Sequence, residues 1–319
     1  MTIFRRFRAY LFLTLLLPAA CQRVPDRIEP TLSYAVQDRY ILSLPTPFPP
    51  LSSEEKYQDW GKEVRVGYGF ARQLDLYQAI TAFKRAEFLL PPEYKERQLE
   101  IQYEIMFSYY MARKWQDAVY TFEHGKLRNA TPAFPPLHDL FIILYDSYMQ
   151  AKEYKQAHQT LELIAQYFPE EAQKLDLSTA LVEADFSTIE TMAATPPSKP
   201  YLDQFLEDYN KRKKSIGRAQ ALNALMPGAG YLYLGQKQSA ITAFLLNGLF
   251  IGTSVYFFCD GNIPAGVIFT TFEAGWYFGG IYGAGLEAKY YNERLYEQLA
   301  TPMMNKEGLF PVLMLKYAF

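Results

Sequence analysis

Between Lys237 and Asp260 the chain carries no charged side chain, and between Asp260 and Glu287 it carries one, Glu273. Crossing a hydrocarbon core of about 30 Å takes roughly 20 apolar residues in a helix. Residues 238–258 meet that length, and residues 263–285 meet it with Glu273 as the exception. Asp260-Gly261-Asn262-Ile263-Pro264 is a turn signal, and Pro264 suits the first turn of a helix. Lipid offers backbone groups no partner, so the expectation is a membrane-embedded helical hairpin.

Gly275, Gly279 and Gly283 stand four apart, as do Gly248 and Gly252. Such stripes let helices approach closely, here the two arms of the hairpin. Asn247 and Glu273 lie at similar distances from the turn and form a candidate intramembrane polar pair. The pair reads as an interhelical lock, and the alternative is a proton- or ligand-handling site. Before the hairpin stand Pro227, Gly228, Gly230, Tyr233 and Gly235. Pro227 ends or kinks the preceding helix, and the glycines allow positive φ or close backbone approach. Tyr231 and Tyr233 have rings suited to a membrane interface. Residues 219–286 resemble a P-G-x-G-x-x-Y-x-G hairpin-entry motif of bacterial membrane proteins, with Tyr231 where that family often has Gln. A phosphate-cradling loop is a poor alternative, because no Gly-Lys-Ser/Thr follows and no strand pattern precedes.

The chain starts with Arg5, Arg6 and Arg8, then a short apolar run, then Pro18-Ala19-Ala20-Cys21. That is a secretory-signal layout, too short to span. It resembles a bacterial lipoprotein signal, which implies lipidation of Cys21; Pro18 replaces the usual aliphatic residue. An ordinary cleaved signal is the alternative. Residues 22–52 hold Pro25, Pro30, Pro45, Pro47, Pro49 and Pro50 and read as a semi-rigid tether. Three histidines and two cysteines suggest neither a metal site nor a disulfide framework, and no cofactor is implied. Cys259 reads as a small apolar filler at the hairpin turn.

Residues 53–194 carry a repeat. Ala79, Ala118 and Ala157 stand 39 apart, each followed at four by Phe83, Phe122 or Leu161. Ala86, Gly125 and Ile164 follow three later, with Pro91 and Pro169 five beyond them and Pro132 two late in the second copy. Phe70, Tyr109 and Tyr148 precede each alanine by nine. Periods of this size, with two helices each, point to an α-solenoid. With Gly67 before Phe70, the pattern resembles tetratricopeptide repeats over about residues 60–169. The overall expectation is therefore all-α: a tetratricopeptide-like solenoid followed by a membrane-embedded hairpin. The resemblance implies a protein or peptide partner on the inner face, with Tyr103, Phe107, Tyr110 and Arg113 as candidate contacts. His124 and His138 read as surface or packing residues.

Residues 170–186 read as one capping helix, and residues 195–218 as a linker and basic amphipathic helix continuing to Leu225. Lys211, Arg212, Lys213 and Lys214 next to a membrane segment suit anionic lipid headgroups, not nucleic acid. Residues 219–300 hold the hairpin and a trailing amphipathic helix ended by Pro302; the tail, 301–319, could close in a short strand. The signal places the array outside the inner membrane, whereas the basic cluster prefers the cytoplasmic side. Export is favoured, giving an envelope protein anchored in a membrane. No catalytic constellation and no small-molecule site is evident. The expectation is a non-enzymatic protein-binding scaffold, with envelope protein assembly as a role it would suit, and a small transport or channel subunit using Asn247 and Glu273 as the alternative.

Overall fold

The computed structural model describes residues 24–34, 38–197 and 199–319, so the signal-like start and Cys21 lie outside the described residues. The described residues are all-helical, with no strand among them. The chain divides into two compact units. One holds residues 24–32, 182–184 and 193–300; the other holds 33–181, 185–192 and 301–319.

The second unit is a succession of paired helices. Short helices α1 (Asp38–Ser43) and α2 (Ser53–Tyr57) lead into α3 (Asp59–Ala71), α4 (Leu76–Leu89), α5 (Lys95–Met111) and α6 (Trp115–His124). Then come α7 (Leu137–Gln150), α8 (Tyr154–Tyr167), α9 (Pro169–Val182) and α10 (Phe186–Ala194). A reciprocal capping box starts α2: Ser52 Oγ accepts from the Glu55 amide at 3.2 Å, and Glu55 Oε2 accepts from the Ser52 amide at 2.6 Å. From α3 to α8 each helix packs on the next.

The 39-residue period is written into the backbone. Leu74, Arg113 and Lys152 all take the left-handed conformation, at φ 59°, 57° and 63°. The following amide reaches back in each case: Asp75 to Phe70, Lys114 to Tyr109 and Glu153 to Tyr148, at 3.0, 2.8 and 2.8 Å. This closes each first helix and turns the chain into the second. Ala79, Ala86, Ala118 and Ala157 are fully buried where the helices meet. Gly67 is small because a Cβ there would stand 2.6 Å from the ring of Phe83.

Four sequence expectations change in this unit. The stretch 170–186 is not one capping helix: the chain turns at Ala184 (φ 52°), Asp185 reaches back to Ala180 at 2.9 Å, and α10 follows. Asp185 starts α10 by accepting from the amides of Ser187 and Thr188. The Pro-rich segment is no free tether, because Ile41, Phe48 and Leu51 are buried apolar anchors. Pro302 does not end its helix, which runs on to Lys306 and stops at Gly308 (φ 64°). The final stretch is not a strand: it forms a 3-10 turn, Pro311–Met314, which ends with Leu315 in extended backbone.

The first unit is built around α11 (Pro200–Arg212), α12 (Ile216–Leu225), α13 (Ala229–Tyr233), α14 (Lys237–Cys259) and the main part of α15 (Ile263–Lys306). The expected helix from Tyr201 to Leu225 is broken at Lys213–Ser215, where Ser215 caps α12 through the Arg218 amide. The buried amide of Asn292 fills the gap, accepting from Lys214 N at 2.7 Å and donating to Lys214 O at 2.8 Å. Val24, Ile216, Ala219, Leu234 and Ala288 form its core, with Tyr233 packed against them. The leading segment lies along α15, its Glu29 and Thr31 amides donating to Glu293 and Glu297 at 3.0 and 2.7 Å.

Candidate functional site

Of the four residues expected to line an inner face, Tyr103, Phe107 and Tyr110 are buried and Arg113 is exposed, and each meets another part of the same chain. Tyr103 packs edge-on against Phe48, ring centroids 5.7 Å apart. Phe107 lies against Phe319 at 4.7 Å. The guanidinium of Arg113 sits 5.7 Å over the ring of Tyr34. Tyr110 is the exception in kind: its hydroxyl donates to Asp146 on α7 at 2.8 Å, tying two successive helix pairs together. Burial pushes the Asp146 carboxyl above its ordinary pKa, and the Tyr110 bond opposes that.

Two other stretches of the chain, residues 48–50 and 316–319, pack against α5 and α7. At the leading end, Arg97 on α5 donates to the carbonyls of Pro49 and Pro50, at 2.9 and 3.2 Å. The same guanidinium pairs with Glu55 at 2.9 Å and Glu100 at 2.6 Å. Arg97 suits this role, since its guanidinium offers five donors in a fork and so reaches two carbonyls and two carboxylates at once. Behind this knot Tyr68 donates to both Glu100 and Glu104, at 2.9 and 3.1 Å. Burial first, and then the Glu100 charge, pushes the Glu104 carboxyl well above the carboxylate range. A cavity of about 340 Å³ opens beside Tyr68, walled by Phe48, Pro49, Arg65 and Arg72.

At the trailing end, Asp139 on α7 is the anchor. Its Oδ2 accepts from the consecutive amides of Lys316 and Tyr317, at 2.9 and 2.8 Å. Its Oδ1 contacts His138 Nδ1 at 2.7 Å. The Ala318 amide donates to Pro45 O at 3.0 Å, so the leading and trailing segments also hold each other. Lys316 Nζ lies 3.7 Å from Glu171. Asp139 is fully buried, and without the tail its carboxylate would lack two of its donors.

Asp139 and Asp146 are the residues that sequence reasoning missed. Their signal was two acids seven apart in the largely apolar Leu137–Gln150 run. Glu100 and Asp139 also stand 39 apart, at equivalent places in successive pairs. His138 is a packing residue, as expected, but one that orients this anchor.

The entry motif is structural. Gly228 has φ 93°, and its amide donates to Asn223 Oδ1 at 2.9 Å. A Cβ on Gly228 would strike the Ala240 carbonyl of α14, and one on Gly230 would strike the Ala219 carbonyl and Ala284 Cβ. Gly235 is again left-handed, at φ 83°. Tyr233 packs into the core instead of facing outward: its hydroxyl accepts from the Ser215 amide at 3.2 Å, and Lys214 lies 4.8 Å over its ring. Tyr277 adds a hydrogen bond to the Ala224 carbonyl. The motif thus folds three close helix approaches into one knuckle.

Beyond the knuckle, α14 is long and apolar enough to cross a membrane, with mean hydropathy 1.7 and only 11% of that window buried. It runs antiparallel to α15: Phe257 meets Phe269 at 5.5 Å, and Phe250 meets Trp276 at 6.5 Å. Its buried residues, Ala240, Asn247 and Ser254, recur every seven positions, the spacing of a helix-packing seam. The glycine stripes do not form that seam. Nothing lies near Gly248, Gly252, Gly275 or Gly279, and Gly283 faces Tyr231. Asn247 and Glu273 form no hydrogen bond with each other: Asn247 donates to Ala243 O of its own helix at 2.6 Å. Asn247 Oδ1 and Glu273 Oε2 are both buried without a partner. Cys259 is exposed at the turn, not a buried filler.

No known family model, curated protein or solved structure matches this chain. Among the described residues no group of three or more His, Cys, Asp or Glu is placed to hold a metal.

Proposed function

We propose that the chain is a non-enzymatic scaffold of the bacterial cell envelope, in which a tetratricopeptide-like solenoid holds a protein or peptide and a membrane-embedded hairpin anchors it. One observation carries the reading: helices α5 and α7 already hold residues 316–319, through the Phe107 ring and the Asp139 carboxylate. A surface that satisfies consecutive backbone amides and seats an aromatic side chain has the chemistry of a peptide groove.

The anchor reading rests on the outer faces of α14 and α15. Ile241, Phe244, Leu249, Val255, Val267 and Phe272 are all exposed. A continuous apolar surface of this kind marks a membrane or partner contact. Lipidation at Cys21 would add a second attachment, and one chain plus a further signal gives stable anchoring. Export places the array in the periplasm.

The test is in-cell cross-linking of the full chain, followed by purification from membranes and identification of adducts, with protease added to spheroplasts in parallel. The reading expects adducts with envelope proteins and digestion of the array before lysis. Adducts confined to cytosolic proteins, with the array protected until lysis, would overturn it.

The unpartnered oxygens of Asn247 and Glu273 favour a second reading, a small transport or channel subunit. There Glu273→Gln abolishes a flux; retained function with lower stability counts against it.

A further inference from the structure

We infer that residues 315–319 are an internal ligand of the array, occupying in cis a site that takes an extended segment of another protein in trans. The inference rests on the scaffold reading and names how its groove is gated.

The tail has two halves with different support. Residues 309–314 are held by their own turn, with Leu313 N donating to Phe310 O at 2.8 Å. Two tyrosines secure that half: Tyr40 donates to Leu313 O at 3.0 Å, and the Tyr34 ring lies 5.6 Å from Phe310. Residues 315–319 have no such internal structure. Their amides at 316 and 317 go to Asp139, and the amide at 318 goes to Pro45. The far half, with Leu315, Ala318 and Phe319 buried, is thus held by the array alone, and in this inference it is the half that releases while the near half stays seated.

What remains after peeling is a formed site. Asp139 is buried on a rigid helix, with Oδ1 held at His138 and Oδ2 aimed at two consecutive N–H groups. Backbone recognition of this kind is indifferent to side chains, so selectivity comes from the flanking subsites. Glu171 stands 3.7 Å from the Lys316 ammonium, and Phe107 receives the Phe319 ring. The occupant that fits is an extended segment with a basic residue three positions before an aromatic one. A tethered tail acts at an effective concentration of about millimolar order, so a free segment competes at a disadvantage until the tail is loosened.

The test uses the full chain in detergent and a fluorescein-labelled peptide with the sequence of residues 313–319, read by fluorescence anisotropy. Phe319→Ala should raise the apparent affinity for this peptide at least tenfold over the unaltered chain. A control peptide with serine at the positions of Lys316 and Phe319 should not bind. No binding to a Phe319→Ala chain that keeps its helical content overturns the inference. Should Phe319→Ala unfold, a chain cut by a specific protease at an engineered site after Gly308 replaces it. Labelled peptide of residues 309–319 should then exchange into the folded cut chain, and failure to exchange overturns the inference. Peptide binding without any cross-linked envelope partner removes the scaffold reading alone. Cross-linked partners without peptide binding remove this inference alone.

Discussion

Phe319 and Phe107 lie 212 positions apart in sequence, yet their rings meet at 4.7 Å. Both are buried. Phe→Ala in a buried site costs about 3–5 kcal/mol. Each single variant should therefore lower array stability strongly. The double variant should lose less than the two losses added, by about 0.5–1.5 kcal/mol for an aromatic pair. Denaturant unfolding of the four proteins checks this; strict additivity would mean that the two rings do not interact.

The array should lose stability as pH rises above the ordinary carboxylate range. Burial and the Glu100 charge raise the Glu104 pKa in the folded chain, so the folded state keeps a proton that the unfolded state gives up above about pH 4.3. Folded protein then binds more protons than unfolded, and stability declines with pH until Glu104 ionises. Glu104→Gln keeps the neutral form and should flatten this decline. Melting temperatures at pH 5 and pH 8 decide it: an unchanged difference in the variant would exclude Glu104 as the cause.

Arg97 has the opposite sign in its effect on Glu55. Its hydrogen bond holds the Glu55 carboxyl below the ordinary range, so this contribution is present above the unfolded pKa and fades as pH falls through the folded value. Arg97→Met should cost about 3–5 kcal/mol, because Glu100 is left nearly buried and without its cation. It should also free the Pro49 and Pro50 carbonyls. Limited proteolysis should then cut near residues 45–52 first; the same cutting pattern as the unaltered chain would contradict this assignment.

Gly228→Ala should damage the knuckle without touching the array. The new Cβ meets the Ala240 carbonyl at a left-handed φ, a strain of about 1–3 kcal/mol or more. Gly248→Ala, which faces open space, serves as the matched control and should be nearly neutral. Accumulation in membranes measured by quantitative blotting should fall for the first and hold for the second. Equal levels of both would mean that the knuckle tolerates the clash.

Much of the fold was legible because its signals are local. Alanines and aromatics at a fixed period mark helix crossings, and Leu74, Arg113 and Lys152 keep that period in the backbone. The fourth pair was hidden because its turn at Ala184 comes 32 residues after Lys152, out of phase with the rest. Pro302 misled because a proline near the end of a helix removes one hydrogen bond without stopping it. The break at Lys213–Ser215 was unreadable for another reason: Asn292, nearly eighty residues away, satisfies it.

The partners of the four candidate contact residues were not legible in the sequence. Tyr103, Phe107 and Arg113 meet Phe48, Phe319 and Tyr34, contacts that only long-range folding creates. The small-residue stripes gave the right spacing for close packing and the wrong face, since Ala240, Asn247 and Ser254 form the seam.

The scaffold reading requires the tail to be a displaceable occupant of the groove. Hydrogen exchange of the full chain, with and without saturating peptide of residues 313–319, measures this directly. The account predicts that the amides of residues 316–318 exchange slowly alone and lose protection when the peptide is added, while α5 and α7 stay protected. Tail amides whose protection is unchanged by the peptide, or lost only together with α5 and α7, would contradict it.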